Sequence, residues 1–143
     1  MEHMERAQGA LTYIDLFAGA GGLSEGFMAC GFKPLAHVEM NAHACDTLKT
    51  RACYWWLRQH GGLELYREYL KGHIGRDALY DAVPGEILDC VICEEMSDQT
   101  MPDVFRRIDS AMKKMGETHV DLIVGGPPCQ AYSLVGRGRK DMS

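Results

Sequence analysis

The spacing of apolar positions changes several times along the chain, and each change marks an element. Thr12 to Phe17 is a short apolar run that stops at Ala18-Gly19-Ala20-Gly21-Gly22, the punctuation of a buried strand entering a turn. Leu23, Phe27 and Cys30 then fall at i, i+4 and i+7, which predicts a helix with those three on its inner face. Gly31 stands where a left-handed C-terminal cap belongs. Phe32 to Glu39 reads as a second strand. Helical spacing returns from Asn41 to about His60 through Ala44, Leu48 and Tyr54-Trp55-Trp56-Leu57, breaks at Gly61-Gly62 and resumes over Leu63 to Leu70. The two tryptophans are expected to pack an added helix onto the core. Ile87 to Cys93 reads as a strand ended by Glu94-Glu95. Met101-Pro102-Asp103 opens a firmer helix, with Val104, Phe105, Ile108, Met112 and Met115 as one apolar stripe and Gly116 as its stop. His119 to Val124 is a last buried strand, leading into Gly125-Gly126-Pro127-Pro128-Cys129-Gln130.

Strands alternating with helices imply a parallel sheet covered on both faces, an open doubly wound α/β arrangement of about four mainly parallel strands. Such sheets bind ligands at the carboxyl ends of their strands, where both glycine-rich turns lie. In a sheet of this size Asp121 to Val124 is expected at an edge, although the run is apolar on both faces, as an interior strand should be. Something must therefore cover it, either further polypeptide or a second subunit.

Composition narrows the class. A length of 143 residues with 46% hydrophobic content suffices for one core and not for two. No run of about 18 apolar residues occurs, which excludes a membrane helix, and the polar start lacks a secretory signal's order. Residues 1–11 are expected to be a flexible leader. Six cysteines in a chain without such a signal read as reduced thiols and point to the cytoplasm, with association to the nucleoid if the source is bacterial. The net charge of -5 argues against a free-standing nucleic-acid binder, yet Arg137, Arg139 and Lys140 crowd the last seven residues.

The first glycine turn allows close approach of backbone to ligand, and the following helix offers unpaired amides. A dinucleotide fingerprint would need glycine where Ser24 stands, so that reading fails in its last element. A nucleoside site survives, because Glu39 ends the second strand and a carboxylate there can accept both ribose hydroxyls. Asp15 adds a second acid beside the turn. Two acids suit a ligand with a cationic centre, and S-adenosylmethionine has that charge pattern. In the second turn Cys129 follows two prolines that stiffen the loop after a buried strand, so its thiol is the candidate nucleophile. The other five cysteines read as small apolar core residues. Cys90 and Cys93 have the spacing of a metal or redox pair, but no further ligands stand at sensible spacing, and no metal is expected. The scattered histidines, His37 among them, read as structural or solvated.

The run Asp15-Leu16-Phe17-Ala18-Gly19-Ala20-Gly21-Gly22-Leu23-Ser24-Glu25-Gly26-Phe27, with Glu39 downstream and Gly126-Pro127-Pro128-Cys129-Gln130-Ala131-Tyr132-Ser133 later, resembles the DNA (cytosine-5)-methyltransferases. The two blocks cover roughly a third of the chain. The resemblance implies a partial Rossmann-like S-adenosylmethionine-dependent methyltransferase fold over residues 12–143, with a helical insertion around 51–86. It implies that Phe17 stacks on the adenine, that the Gly19 to Leu23 backbone, including Ala20, Gly21 and Gly22, holds the methionine part beside Asp15 and Ala18, and that Glu39 binds the ribose with Met40 near the adenine. It makes Cys129 the nucleophile toward cytosine, with Pro128, Gln130, Ser133 and Arg137 facing double-stranded DNA. The third acid at the cofactor is expected to be Glu95, beside Met96, or alternatively Asp89. The family's glutamate segment, arginine pair and target-recognition region have no counterpart here. The chain is thus expected to be a fragment or split subunit, inactive alone and completed by the rest of the polypeptide or a complementing subunit. The alternative is a non-catalytic cofactor-binding subunit.

Overall fold

A computed structural model describes residues 9–127. Four strands, β1 (Thr12–Leu16), β2 (Lys33–Glu39), β3 (Val91–Cys93) and β4 (Leu122–Gly125), form one parallel sheet in the order β3-β2-β1-β4. Between them run α1 (Gly22–Ala29), α2 (Ala42–Gln59), α3 (Leu63–Leu70), α4 (Arg76–Asp81), α5 (Gly85–Asp89) and α6 (Met101–Lys114). The parallel order follows from the helical crossovers, since consecutive parallel strands cannot be joined by tight turns.

On the α6 face the core is Ile14, Ala36, Val38 and Ile92 against Val104 and Ile108. Only two members of the expected α6 stripe are fully buried. Phe105 is 51% exposed and Ala111 is buried, so the inner face is narrower than the spacing suggested. On α1 the inner face is likewise displaced. Leu23 and Cys30 are exposed, whereas Ser24 is fully buried and its hydroxyl hydrogen-bonds the Tyr13 hydroxyl beneath it. Phe27 does pack inward, 5.2 Å from the Tyr13 ring. Burial pushes the Tyr13 phenol up to about 12.

A second cluster of Cys53, Leu57, Tyr66, Leu79 and Val83 lies apart from the sheet core and joins α2, α3 and α4. Trp55 and Trp56 belong to this helical part: Trp56 stacks on His60 at 4.0 Å and Trp55 reaches back to α1. The expected strand from Ile87 to Cys93 divides into the short helix α5 and the three-residue β3. Pro84 precedes that helix, and the β-branched run Val91-Ile92 is all that remains extended.

Among the described residues β4 lies at one edge of the sheet, as expected from the strand count, and its apolar pattern, that of an interior strand, leaves Leu122 37% and Ile123 61% exposed. Its register is set at the start, where Asp121 accepts hydrogen bonds from the Thr12 amide at 2.9 Å and hydroxyl at 3.0 Å. At its end Gly125 pairs with Leu16, and a Cβ there would lie 2.3 Å from the Leu16 carbonyl oxygen. Gly125→Ala is therefore expected to cost about 1–3 kcal/mol of stability, because a strand backbone and not a flexible side chain must move. Denaturant unfolding checks it: the midpoint falls with the slope unchanged.

Candidate cofactor site

The first turn is built from residues held in the left-handed region. Gly19 and Gly21 take φ values of 58° and 92°, and Phe17 takes 56°. Glycine accepts this freely, and at Gly21 a Cβ would also meet Leu48 Cδ2 at 2.9 Å. For a phenylalanine the same backbone costs about 1–3 kcal/mol, a strain that persists only where the surroundings fix it. The Ala18 amide bonded to the Val38 carbonyl at 3.0 Å, and the Gly21 amide bonded to Ala18 at 3.1 Å, provide that fixing. The result is a large ring turned out at the carboxyl edge of the sheet, 37% exposed.

Glu39, the last residue of β2, reaches across to this turn. Its Oε2 accepts the Gly19 amide at 2.6 Å, and its Oε1 accepts the Met40 and Asn41 amides at 3.0 Å each. Asn41 in turn caps α2 through the Ala44 amide, and Met40 is 66% exposed beside the acid. Both carboxylate oxygens are thus fixed at the mouth of the glycine turn. The Glu39 carbonyl accepts the Glu94 amide at 3.0 Å, which brings the end of β3 to the same edge. An exposed aromatic face, a carboxylate with two acceptor oxygens and a glycine backbone free of side chains are the donor and acceptor set that the adenine, ribose and amino acid parts of S-adenosylmethionine require. The residues present fit that group.

Two expected acids do not join this edge. Asp15 is 1% exposed, and its carboxylate faces His37 inside the sheet, with Oδ2 3.9 Å from Nδ1. Neither atom has a hydrogen-bond partner among the described residues. A strand buried on both faces does not reveal in sequence which way its acid points. Asp89 lies before β3, at the amino end of the strand, paired with Lys114 at 2.9 Å. Glu95 follows β3 at the carboxyl end, and Met96 packs into the core. Of the turn residues, Ala20, Gly22 and Leu23 are exposed, while Ala18 and Gly21 are buried. Pro128, Cys129, Gln130, Ser133 and Arg137 lie outside the described residues.

The thiols divide by position. Cys45, Cys53 and Cys90 are buried as expected of core residues, and burial raises them to about 12, about 11 and about 12. Cys30 and Cys93 are exposed, against that expectation. Cys90 and Cys93 stand at opposite ends of β3, which ends their reading as a pair. No group of three metal-ligating side chains occurs among the described residues. An apolar cavity of about 340 Å³, lined by Trp55, Trp56, Lys33, Pro34 and Met115, opens at the amino ends of the strands, away from the glycine turn.

One contact with the site had no signal in the sequence. Glu25, in the first turn of α1, accepts Arg51 Nε at 2.6 Å and Nη2 at 3.0 Å, and Trp55 Nε1 at 3.0 Å. Arg51 also donates to the Tyr66 hydroxyl at 3.2 Å and lies over the Tyr54 ring. This forked pair fastens the helical part to the helix that opens at the glycine turn. The Arg51 hydrogen bonds hold the Glu25 carboxyl below its ordinary value of 4.5. A carboxyl depressed in the folded state stabilises above its unfolded value and loses that contribution as pH falls through the folded one. Arg51→Met should therefore lower stability at neutral pH and flatten the acid limb below about pH 4.5, read from denaturant midpoints across pH.

Strand order, glycine turn and second-strand acid are those of a partial Rossmann-like fold, the fold of the S-adenosylmethionine-dependent methyltransferases. The family described as C-5 cytosine-specific DNA methylase matches residues 11–62. The Type II methyltransferase M.Bpa9945I of Bacillus paralicheniformis is 42% identical over 146 residues, covering 90% of this chain and 33% of the relative. The Type II methyltransferase M1.HphI of Haemophilus parahaemolyticus is 31% identical, over 90% of this chain and 23% of the relative. The Type II methyltransferase M.XorII of Xanthomonas oryzae is 30% identical, over 91% and 22%. No solved structure matches. The chain belongs to the C-5 cytosine-specific DNA methylase family, as the N-terminal region of its catalytic part. It spans about a third or less of the length of these relatives.

Proposed function

We propose that the chain forms the cofactor-binding and nucleophile-bearing part of a DNA cytosine-5 methyltransferase, acting on double-stranded DNA. The observation that carries the reading is the Glu39 carboxylate held across the Gly19 turn beside the outward Phe17 ring. Phe17 stacks on the adenine, Glu39 takes the ribose hydroxyls with Met40 alongside, and the backbone from Gly19 to Leu23 receives the amino acid part. Glu95 is the third acid. When bound, S-adenosylmethionine supplies a methyl group activated by its sulfonium charge. Cys129 adds as thiolate to carbon 6 of a flipped cytosine, which makes carbon 5 nucleophilic; loss of the carbon 5 proton and of the thiol later restores the ring. Pro128, Gln130, Ser133 and Arg137 meet the DNA around the vacated position.

The domain reading is a leader over 1–11 and a catalytic part from 12 onward, with the helices around 51–86 as an insertion. The exposed apolar edge of β4 supports a further partner, either the remaining polypeptide or a complementing subunit that brings the proton donor and target recognition. It equally favours the second reading, a cofactor-holding subunit without chemistry of its own. The proposed compartment is the cytoplasm, at the nucleoid in a bacterium; no helix among the described residues is long and apolar enough to cross a membrane.

Calorimetric titration of the chain tests the cofactor assignment. S-adenosylmethionine should bind saturably and a nicotinamide dinucleotide should not. Binding of the dinucleotide alone would overturn it. Methyl transfer that appears only when the complementing part is added separates the enzyme from the holding subunit.

A further inference from the structure

The two cysteines that sequence spacing paired are separated by β3, but the fold brings a different pair together at the cofactor edge. Cys93 ends β3 and is the registered partner of Glu39, and it is exposed. Cys45, in the first turn of α2, is buried and donates its thiol hydrogen to the Glu39 carbonyl at 3.2 Å. The two thiols thus flank one residue, the acid that grips the glycine turn. Burial first, and the neighbouring Cys93 thiol after it, raise the Cys45 thiol to about 12. No other described cysteine lies on this edge, since Cys30 follows α1, Cys53 sits in the second apolar cluster and the Cys90 thiol donates to Glu86 at the far end of β3.

We propose that Cys45 and Cys93 form a reversible disulfide whose formation weakens cofactor binding, with Cys93 as the peroxide-reactive thiol and Cys45 as the resolving one. The consequence for the cofactor rests on the function proposed above. Hydrogen peroxide oxidises the exposed Cys93 thiol by two electrons to a sulfenic acid, releasing one water. The Cys45 sulfur then attacks the Cys93 sulfur; the S–S bond forms, the S–O bond breaks, and the hydroxyl leaves with the Cys45 proton as a second water. Two thiols and one peroxide yield one disulfide and two waters. The high value of Cys45 makes the second step slow at neutral pH without opposing its outcome, and it confines the first attack to Cys93.

The link changes the site in two ways. It removes the thiol hydrogen from the Glu39 carbonyl, and it ties the first turn of α2 to the end of β3 across the peptide that orients the Glu39 carboxylate. The Asn41 and Met40 amides that hold Oε1 lie in the same short connection.

The full chain, reduced and then treated with hydrogen peroxide, is digested without reductant and mapped by mass spectrometry, and both forms are titrated with S-adenosylmethionine. The expected result is a Cys45–Cys93 linked peptide, with affinity lowered at least about tenfold, the equivalent of one lost hydrogen bond, and restored by dithiothreitol. Cys93→Ser, at an exposed position, should bind like the reduced chain before and after peroxide. Cys45→Ala should let the Cys93 sulfenic acid accumulate for trapping by dimedone. Failure to find the link, a link from Cys93 to another cysteine, or a linked chain that binds as tightly as the reduced one would each overturn the proposal. A reduced chain that does not bind S-adenosylmethionine would count against the cofactor reading alone, and the peptide map would still decide the disulfide.

Discussion

Cys129→Ser, in the chain combined with its complementing part, is expected to leave no covalent adduct on DNA containing 5-fluorocytosine. Carbon 5 of cytosine is a poor nucleophile until a group adds at carbon 6, and a thiolate is accessible near neutral pH because an ordinary cysteine titrates near 8.5. A serine hydroxyl at the same position stays protonated and less nucleophilic, so methyl transfer should fall by on the order of 10⁴-fold, ~5 kcal/mol of barrier. Fluorine at carbon 5 cannot leave as a proton does, so the addition product is trapped and migrates as a slower band on a denaturing gel. Affinity for S-adenosylmethionine should stay unchanged, because the proposed cofactor contacts lie in the first glycine turn and at Glu39. That split separates a lost nucleophile from a misfolded chain. An adduct that survives the substitution would remove Cys129 from the role.

Where a residue's place depends on the end of a strand, the sequence was legible. Phe17 and Glu39 close β1 and β2, and in a parallel sheet both ends must open at one edge, so their meeting follows from two strand boundaries and the crossover between them. The β4 position was legible from the strand count, which put Asp121 to Val124 at an edge among the described strands, while its apolar pattern alone pointed to an interior strand. Where the place depends on a face, the reading slipped. Ser24 and not Leu23 turns inward on α1, because the hydroxyl finds the Tyr13 hydroxyl under the helix. Asp15 turns inward because both faces of β1 are covered. The failed dinucleotide fingerprint has the same origin, since the position that wants glycine is filled by this buried serine.

The helical part between α2 and β3 was legible as helix and not as architecture. Short helices such as α4 and α5 have too few turns to show a period, and α5 was absorbed into the apolar run ahead of β3. The Glu25 and Arg51 fork joins residues 26 positions apart on two helices, a meeting that only tertiary packing creates. Its effect reaches the site, because α1 begins at Gly22, directly after the turn that Glu39 grips.

Glu39→Gln should separate cofactor binding from the structure of the turn. The amide keeps one acceptor oxygen, loses the charge and replaces the other acceptor with a donor, so it can hold at most one of the two ribose hydroxyls as the carboxylate does. A hydrogen bond to a charged group contributes about 1.5–3 kcal/mol, so S-adenosylmethionine affinity should fall roughly 10- to 100-fold. Stability should change far less, because the Met40 and Asn41 amides that lose their acceptor are exposed and take water in its place. Glu39→Asp makes the complementary case. It keeps the charge but is one methylene shorter, so it loses the 2.6 Å reach to Gly19 while remaining near its own neighbours' amides. If the acid acts by bridging two strands, Asp should bind nearly as poorly as Gln; if charge alone matters, Asp should bind nearly as well as Glu. Calorimetry on the three proteins, with denaturant midpoints as the control, distinguishes the cases. Binding by Gln within twofold of Glu would remove Glu39 from the cofactor site and leave its carboxylate as a brace for the glycine turn.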